Sequence, residues 1–360
     1  MRFASIFYFS YNEKEKIQSQ QKELLMKKGF KVLIVIGGIA ALVGVFMAVI
    51  NIIPPAKVLE NNVFIKDANA TKPMLAAHRG GAITNPENTL KAYKSAVSEC
   101  QIDIVESDIW LTKDEHIVFS HDGTIDRMSD VALFDTTKEK HEIGDYTLEE
   151  LSNFNFGYGF TDKNGNKPYE NLVSVDQADR KEVIKANGLQ ILEVEELFKE
   201  FYETKPNLLF IVEIKNGNEK GFKAAQVLDD LLTNKYPNYK QNVVVGTFHD
   251  EISQDLRENH PTILRGASTG DARDFVITTM LGVNLFNNAD FACLQIPTSY
   301  NLKGIEFKLD EKRFVDRAHR RNMAVQYWTI NDAETMKKLN DIGCDCIMTD
   351  DPELFNEVFR

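Results

Sequence analysis

Two hydrophobic patterns divide this chain. The first is a single uninterrupted run from Val32 to Ile53, 22 residues without a charge. At about 1.5 Å per residue, a helix of that length covers roughly 33 Å, enough to cross a hydrocarbon core. A core helix of a soluble domain would keep a polar stripe, and this run has none. Lys27, Lys28 and Lys31 precede it and Pro54-Pro55 follow it. This bias predicts an uncleaved, single-pass transmembrane helix over 32–53 in the cell membrane, with residues 1–31 cytoplasmic and the remainder extracytoplasmic. A cleaved signal peptide competes through Ala68-Asn69-Ala70, but the apolar run is longer than an ordinary signal core and that site lies far downstream of it.

The second pattern begins at Pro73, after a polar linker expected over 54–72. Short apolar runs alternate with amphipathic stretches, the signature of βα units on a parallel sheet. Strands are predicted over 74–78, 103–110, 116–120, 208–215, 243–248, 262–266, 291–296, 323–329 and 344–349. Helices are expected over 88–99, 219–233, 311–321 and 333–340, with another after Asp250. This alternation predicts an α/β fold, a (β/α)₈ barrel spanning 73–360. No G-x-G-x-x-G follows the first strand, which argues against a doubly wound dinucleotide fold. Residues 123–190 break the alternation and read as a subdomain inserted over the barrel mouth.

Charge and cysteine content narrow the function. Seven basic and three acidic side chains give residues 1–31 a net charge of +4, so the net charge of −12 leaves −16 on the rest. So acidic a body, with no basic stripe, excludes nucleic acid as a partner. Cys100, Cys293, Cys344 and Cys346 form no C-x-x-C pair and no zinc spacing, and read as small buried hydrophobes rather than disulfides.

Candidate chemistry gathers at strand C-termini, where a barrel places its active site. His78-Arg79-Gly80-Gly81 follows the first strand. Glu106 and Asp108, two apart, share one face of the second among apolar neighbours. Ser120-His121-Asp122-Gly123 ends the third strand, Glu213 and Lys215 share a face inside IVEIK, and Thr349-Asp350-Asp351 closes the last. Buried carboxylates without a counter-charge cost several kcal/mol. Glu106, Asp108 and Glu213 therefore suit oxygen ligation of one divalent cation, Mg²⁺ or Ca²⁺. Arg79 and Lys215 offer positive charge to a phosphate, and His78 and His121 an acid and a base near neutral pH. A dication, two cationic side chains and two histidines describe a phosphodiesterase. Plainer roles stand beside these: a structural turn for HRG, neutralisation of Glu213 by Lys215, core packing for Trp328 and Phe248. His116, His141, His249, His260 and His319 read as surface or structural residues, and Asp350 as a helix N-cap before Pro352.

AAHRGGAITNPENTLKAY, VESDIWLTKDEHIVFSHDGTIDR, YTLEEL, IVEIK, QYWTIND and GCDCIMTDDP, in that order from Met74 onward, resemble the glycerophosphodiester phosphodiesterases. The resemblance implies a (β/α)₈ barrel with an insertion after the HD motif. It also implies hydrolysis of glycerophosphodiesters to sn-glycerol 3-phosphate and an alcohol. His78 and His121 match the family's acid–base pair, Glu106, Asp108 and Glu213 its metal-binding acids, and Arg79 and Lys215 its phosphate contacts. Glu87, in PENT, matches a further acid near the metal, and Trp328 a tryptophan lining the substrate pocket. LQILEVEELF stands where relatives carry Pro-Thr-Leu-Glu-Glu, leaving Glu193 and Glu195 as alternatives, and Thr247-Phe248-His249-Asp250 replaces Ser-Phe-Asp. Two other functions remain open. One is a lysophospholipase D acting on membrane lysophospholipids, with an apolar groove from Phe134, Phe154, Phe156, Tyr158 and Phe160. The other is an inactive module that binds phosphodiesters at the cell surface.

Overall fold

A computed structural model describes residues 2–360 and divides the chain into two compact units, Met1–Pro54 with Leu281–Phe286, and Pro55–Met280 with Asn287–Arg360. In the first unit a single helix, α1 (Arg2–Ile52), contains the apolar run as far as Ile52 and is long and apolar enough over Lys22–Ile52 to cross a membrane.

The second unit is the expected barrel. Its eight parallel strands are β1 (Met74–Ala77), β2 (Ile104–Leu111), β4 (Leu209–Ile214), β5 (Val243–Gly246), β6 (Leu264–Arg265), β7 (Cys293–Ile296), β10 (Ala324–Tyr327) and β11 (Cys346–Thr349). They follow one another around the sheet in chain order, and β11 pairs with β1. The turn closes through a bridge between Gly266 and Cys293, with Ala292 N donating to Arg265 O at 2.7 Å and Ala267 N to Cys293 O at 2.9 Å. β3 (Ile117–Phe119), read above as one more strand in the series, instead folds back antiparallel on β2. An exposed hairpin, β8 (Ser299–Leu302) and β9 (Ile305–Lys308), was not expected at all.

Both faces of each strand are buried, so the runs are almost wholly apolar. Leu75, Val105, Phe210, Val245, Val325 and Ile347 face outward under the helices. These include α2 (Leu90–Ser98), α6 (Asn218–Asp230), α7 (Asp250–Asn259), α8 (Thr269–Met280), α9 (Lys312–His319), α10 (Ala333–Asp341) and α11 (Pro352–Val358). Ala76, Ile104, Leu209, Ile211, Cys293, Ala324 and Cys346 fill the barrel floor. Cys100 and Cys344 are buried too, and all four thiols are free.

The stretch 54–72, taken from its polarity as a linker, is built into that floor. Phe64 is fully buried among the inward residues. Asn62 Nδ2 donates to Ala292 O (2.8 Å) and Asn322 O (3.0 Å), while Asn322 Nδ2 donates to Leu59 O (2.7 Å). Val58 N donates to Arg321 O, and Lys66 N to the buried Asp345 carboxylate, which also accepts from Val325 N. A polar stretch here carries its asparagines as ties and one phenylalanine as a plug.

The insertion has small cores of its own. One gathers Ile125, Val131, Ile143, Leu151, Phe154 and Phe156, and another Val173, Ile184 and Leu189. They lie around two short helices, α3 (Leu148–Leu151) and α4 (Arg180–Ala186), while α5 (Val194–Phe201) after the insertion packs into the barrel core. Arg180 and Asp130 form a buried ion pair between them. Phe154, Phe156 and Phe160 are buried, which removes three of the five aromatics expected to line a groove.

Replacing Phe64 by Ala leaves a cavity in the barrel floor. The expected cost is about 3–5 kcal/mol, read as a lower denaturant midpoint of the full chain with an unchanged slope.

Candidate active site

The inward column of each strand changes character along its length. In β2 it runs Ile104, Glu106, Asp108, and β4 runs Leu209, Ile211, Glu213, with Lys215 beyond. Asp108 and Glu213 are register partners on these neighbouring strands. Apolar residues make the floor and ionisable ones the mouth. There His78, Arg79, Glu106, Asp108, His121, Glu213, Lys215, Phe248 and Trp328 line one cavity of about 180 Å³.

Tight turns set the first of these side chains. His78–Gly80 forms a single 3₁₀ turn in which Arg79 takes φ 53° and Gly80 φ 84°. A Cβ on Gly80 would come within 2.8 Å of that of Ala92, so only glycine lets α2 pack here. The turn brings Arg79 N to Glu106 Oε2 at 2.9 Å. Behind β2, Ser107 points away from the cavity and bonds the Tyr93 hydroxyl at 2.7 Å, which fixes the strand's facing. The His121-Asp122-Gly123 turn rests on Trp110, whose Nε1 donates to His121 O. A Cβ on Gly123 would lie 2.9 Å from that indole.

Two buried acids, Glu106 and Asp108, and the half-buried Glu213 face two cations. Lys215 Nζ lies 2.9 Å from Asp108 Oδ1 and 2.8 Å from Glu213 Oε1. Arg79 Nε is 3.5 Å from Asp108 Oδ2, a buried oxygen that accepts no hydrogen bond. Burial, with Asp108 and Glu213 nearby, pushes Glu106 up to about 7, against the pull of His78 and the Arg79 amide. Burial also raises Glu213 in spite of Lys215. Burial opposes the charge on Lys215, but Asp108 and Glu213 outweigh it and hold the ammonium above its usual range. Among the described residues, no three acidic, imidazole or thiol side chains stand close enough to hold a metal ion as they are placed. The expected ligands nevertheless line one mouth, with Lys215 lying between two of them. Their all-oxygen donor set and the unpartnered Asp108 oxygen suit a hard divalent cation.

Both histidines are backed by carboxylates. His78 Nδ1 lies 2.5 Å from Asp350 Oδ1, and His121 Nδ1 2.8 Å from Asp122 Oδ1. A carboxylate only accepts, so each Nδ1 carries the proton and each Nε2 is left for other partners. For His78, Nε2 lies 3.9 Å from Glu106 Oε2. Burial lowers the His78 pKa, yet Glu106 and Asp350 together raise it above the ordinary histidine value. The Asp350 carboxyl is lowered despite burial, through its bond to His78.

Asp350 is therefore a correction. It is not the helix cap: Asp351 Oδ1 accepts from Leu354 N and caps α11, while Asp350 Oδ2 accepts from Asn331. Two adjacent aspartates after the strand, with only one needed as a cap, were the available signal. Glu87 stays outside the cavity wall, bonded to Arg127 and 3.4 Å from Arg79. Sequence reasoning gave Arg127 no role. Phe248 and Trp328 meet edge to face, with centroids 6.0 Å apart, at the rim. His141 and His260 are buried structural residues, each bonded to an aspartate.

Known proteins share this fold. The glycerophosphodiester phosphodiesterase of Caldanaerobacter subterraneus subsp. tengcongensis is 26% identical over 296 residues, 80% of this chain and 98% of that protein. A Bacillus subtilis glycerophosphodiester phosphodiesterase is 22% identical over 79% of this chain and 86% of its own. Among solved structures, the glycerophosphoryl diester phosphodiesterase domain of a Mycobacterium tuberculosis protein superposes with a TM-score of 0.63 at 15% identity, covering 80% of this chain and all of that one. An Oleispira antarctica phosphodiesterase in complex with its product sn-glycerol-3-phosphate gives 0.55 at 20% identity, covering 80% and 97%. Residues 78–354 match the profile of one family throughout, and the chain belongs to the glycerophosphoryl diester phosphodiesterase family.

Proposed function

We propose that this enzyme hydrolyses water-soluble glycerophosphodiesters to sn-glycerol 3-phosphate and an alcohol, using His78 and His121 as its acid–base pair. The observation that carries this reading is the pair of carboxylate-backed imidazoles bordering a cavity that also holds Arg79 and Lys215. Glu106, Asp108 and Glu213 would hold one divalent cation, Mg²⁺ or Ca²⁺, as the family resemblance implies. When bound, it would polarise a phosphoryl oxygen and acidify an attacking hydroxyl or water.

Arg79 and Lys215 would grip the phosphoryl oxygens and offset the charge that grows on them. One imidazole would take the proton of the attacking oxygen at Nε2 while the other gives a proton to the departing alcohol. Asp350 and Asp122 keep each ring in the tautomer this needs. Trp328 and Phe248 would wall the alcohol side of the cavity. Burial of Phe154, Phe156 and Phe160 leaves little of the apolar groove that an acyl chain would require, which favours the soluble diester over a lysophospholipid. The paired histidines and acids favour catalysis over a binding module. The exposed apolar face of α1 supports a membrane anchor, and the lysines that precede the run favour residues 1–31 on the cytoplasmic side.

In cells, the full chain is expected to stay in the membrane pellet after alkaline carbonate washing; release would mean a cleaved leader. Chelator-treated enzyme in detergent is expected to release glycerol 3-phosphate from glycerophosphocholine only after Mg²⁺ or Ca²⁺ is returned. Turnover of lysophosphatidylcholine alone would move the function to a lysophospholipase D, and silence on both to a binding module. His78→Ala or His121→Ala should each lower kcat about 10²–10⁴-fold. Asp350→Asn should lower kcat less and move the limb of the pH profile set by His78 to lower pH, because Asp350 raises that pKa. A profile that stays in place would remove Asp350 from the mechanism.

A further inference from the structure

Arg127 follows the HD turn and reaches across the mouth. Its Nε donates to Asp122 Oδ2 at 2.6 Å, and its Nη2 and Nη1 to the two Glu87 oxygens at 2.6 and 3.0 Å. Asp122 in turn backs His121, and Glu87 lies 3.4 Å from Arg79 Nη1. One guanidinium thus joins the segment that carries a histidine to the turn that carries a phosphate-binding arginine.

The contacts are unequal in a telling way. Glu87 is 10% exposed and gives both oxygens to Arg127, while its contact with Arg79 is long and single. If Arg127 were absent, the nearest cation to this largely buried carboxylate would be Arg79, and a buried carboxylate does not stay unpaired. Arg79 would then be neutralised by Glu87 instead of being open to a phosphate. The insertion holds Arg127 in place: Gly159 N donates to Met128 O, and a Cβ on Gly159 would lie 1.9 Å from the Arg127 carbonyl oxygen. No other residue type fits against that backbone.

We infer that Arg127 is a positioning residue that sequesters Glu87 from Arg79, so that Arg79 is open to the phosphate group, while bracing Asp122 behind His121. It touches no reacting atom and acts through its two carboxylate partners. The inserted subdomain thereby acquires a catalytic purpose, because it fixes the backbone from which Arg127 reaches. The inference rests on the reading of Arg79 as a phosphate contact.

The test measures sn-glycerol 3-phosphate binding by calorimetry and steady-state turnover of glycerophosphocholine, on the full chain in detergent with Mg²⁺ present. Arg127→Ala should raise both Kd and KM roughly tenfold, the loss of about one charge-assisted contact. Adding Glu87→Gln to that variant removes the competing charge, and should bring Kd and KM back toward wild type. Any fall in kcat should persist, since glutamine restores nothing to Asp122. Arg127→Lys keeps a charge without the fork that spans two carboxylates and should fall between. If the alanine variant does not fold, the lysine variant with and without Glu87→Gln supplies the same comparison. Unchanged Kd in Arg127→Ala or Arg127→Lys, or no recovery on adding Glu87→Gln, overturns the inference. If the wild-type chain binds no glycerol 3-phosphate, the reading of Arg79 falls and takes the inference with it.

Discussion

Everything at the mouth of this barrel depends on holding three carboxylates inside a protein interior. Glu106, Asp108 and Glu213 occupy inward positions just above the apolar floor of Ile104, Leu209 and Ile211, and each negative charge there is costly. Lys215, inserted between Asp108 and Glu213, and Arg79, beside Asp108 and Glu106, supply the positive charge that makes the arrangement tolerable. The balance is incomplete. Burial still pushes the Glu106 carboxyl well above the usual carboxylate range, and one Asp108 oxygen is buried without a hydrogen bond. A stable core would have used apolar side chains, and the arrangement is what the proposed binding of a divalent cation and an anionic phosphoryl group would require.

The histidines depend on the same economy of charge. His78 keeps a raised pKa in a buried setting only because Glu106 and Asp350 face it from two sides. His121 is more exposed and is held by Asp122, itself tied to Arg127. The two rings thus sit in different surroundings, buried and anionic for one, open and braced for the other. Such a difference is what the acid and base proposed here would need.

Much of this was legible in the sequence because the barrel's periodicity is strict. A period of two along β2 and β4 placed Glu106 with Asp108 and Glu213 with Lys215, and the turn glycines after His78 marked where the first strand ends. What was not legible depended on contacts distant in the chain. Asp350 and Asp351 are chemically identical neighbours, and only their meeting with His78 and Leu354 separates their tasks. Phe64 sits in a polar stretch with no period, and its burial comes from the ring of strands above it. β3 has the composition of a barrel strand, and only its tight connection to β2 reverses it. Arg127 lay in a matched motif, but its two partners are brought together by folding alone.

The central claim is that the mouth carboxylates form a site completed by a divalent cation. It is tested most directly by thermal unfolding of chelator-treated full chain, titrated with Mg²⁺ and with Ca²⁺ beside an Asp108→Asn variant. Wild type should gain roughly 2.7 kcal/mol when the effective cation reaches a hundred times its Kd, seen as a rise in Tm that the variant largely lacks. A wild-type Tm indifferent to both ions, or an equal rise in Asp108→Asn, would contradict the account.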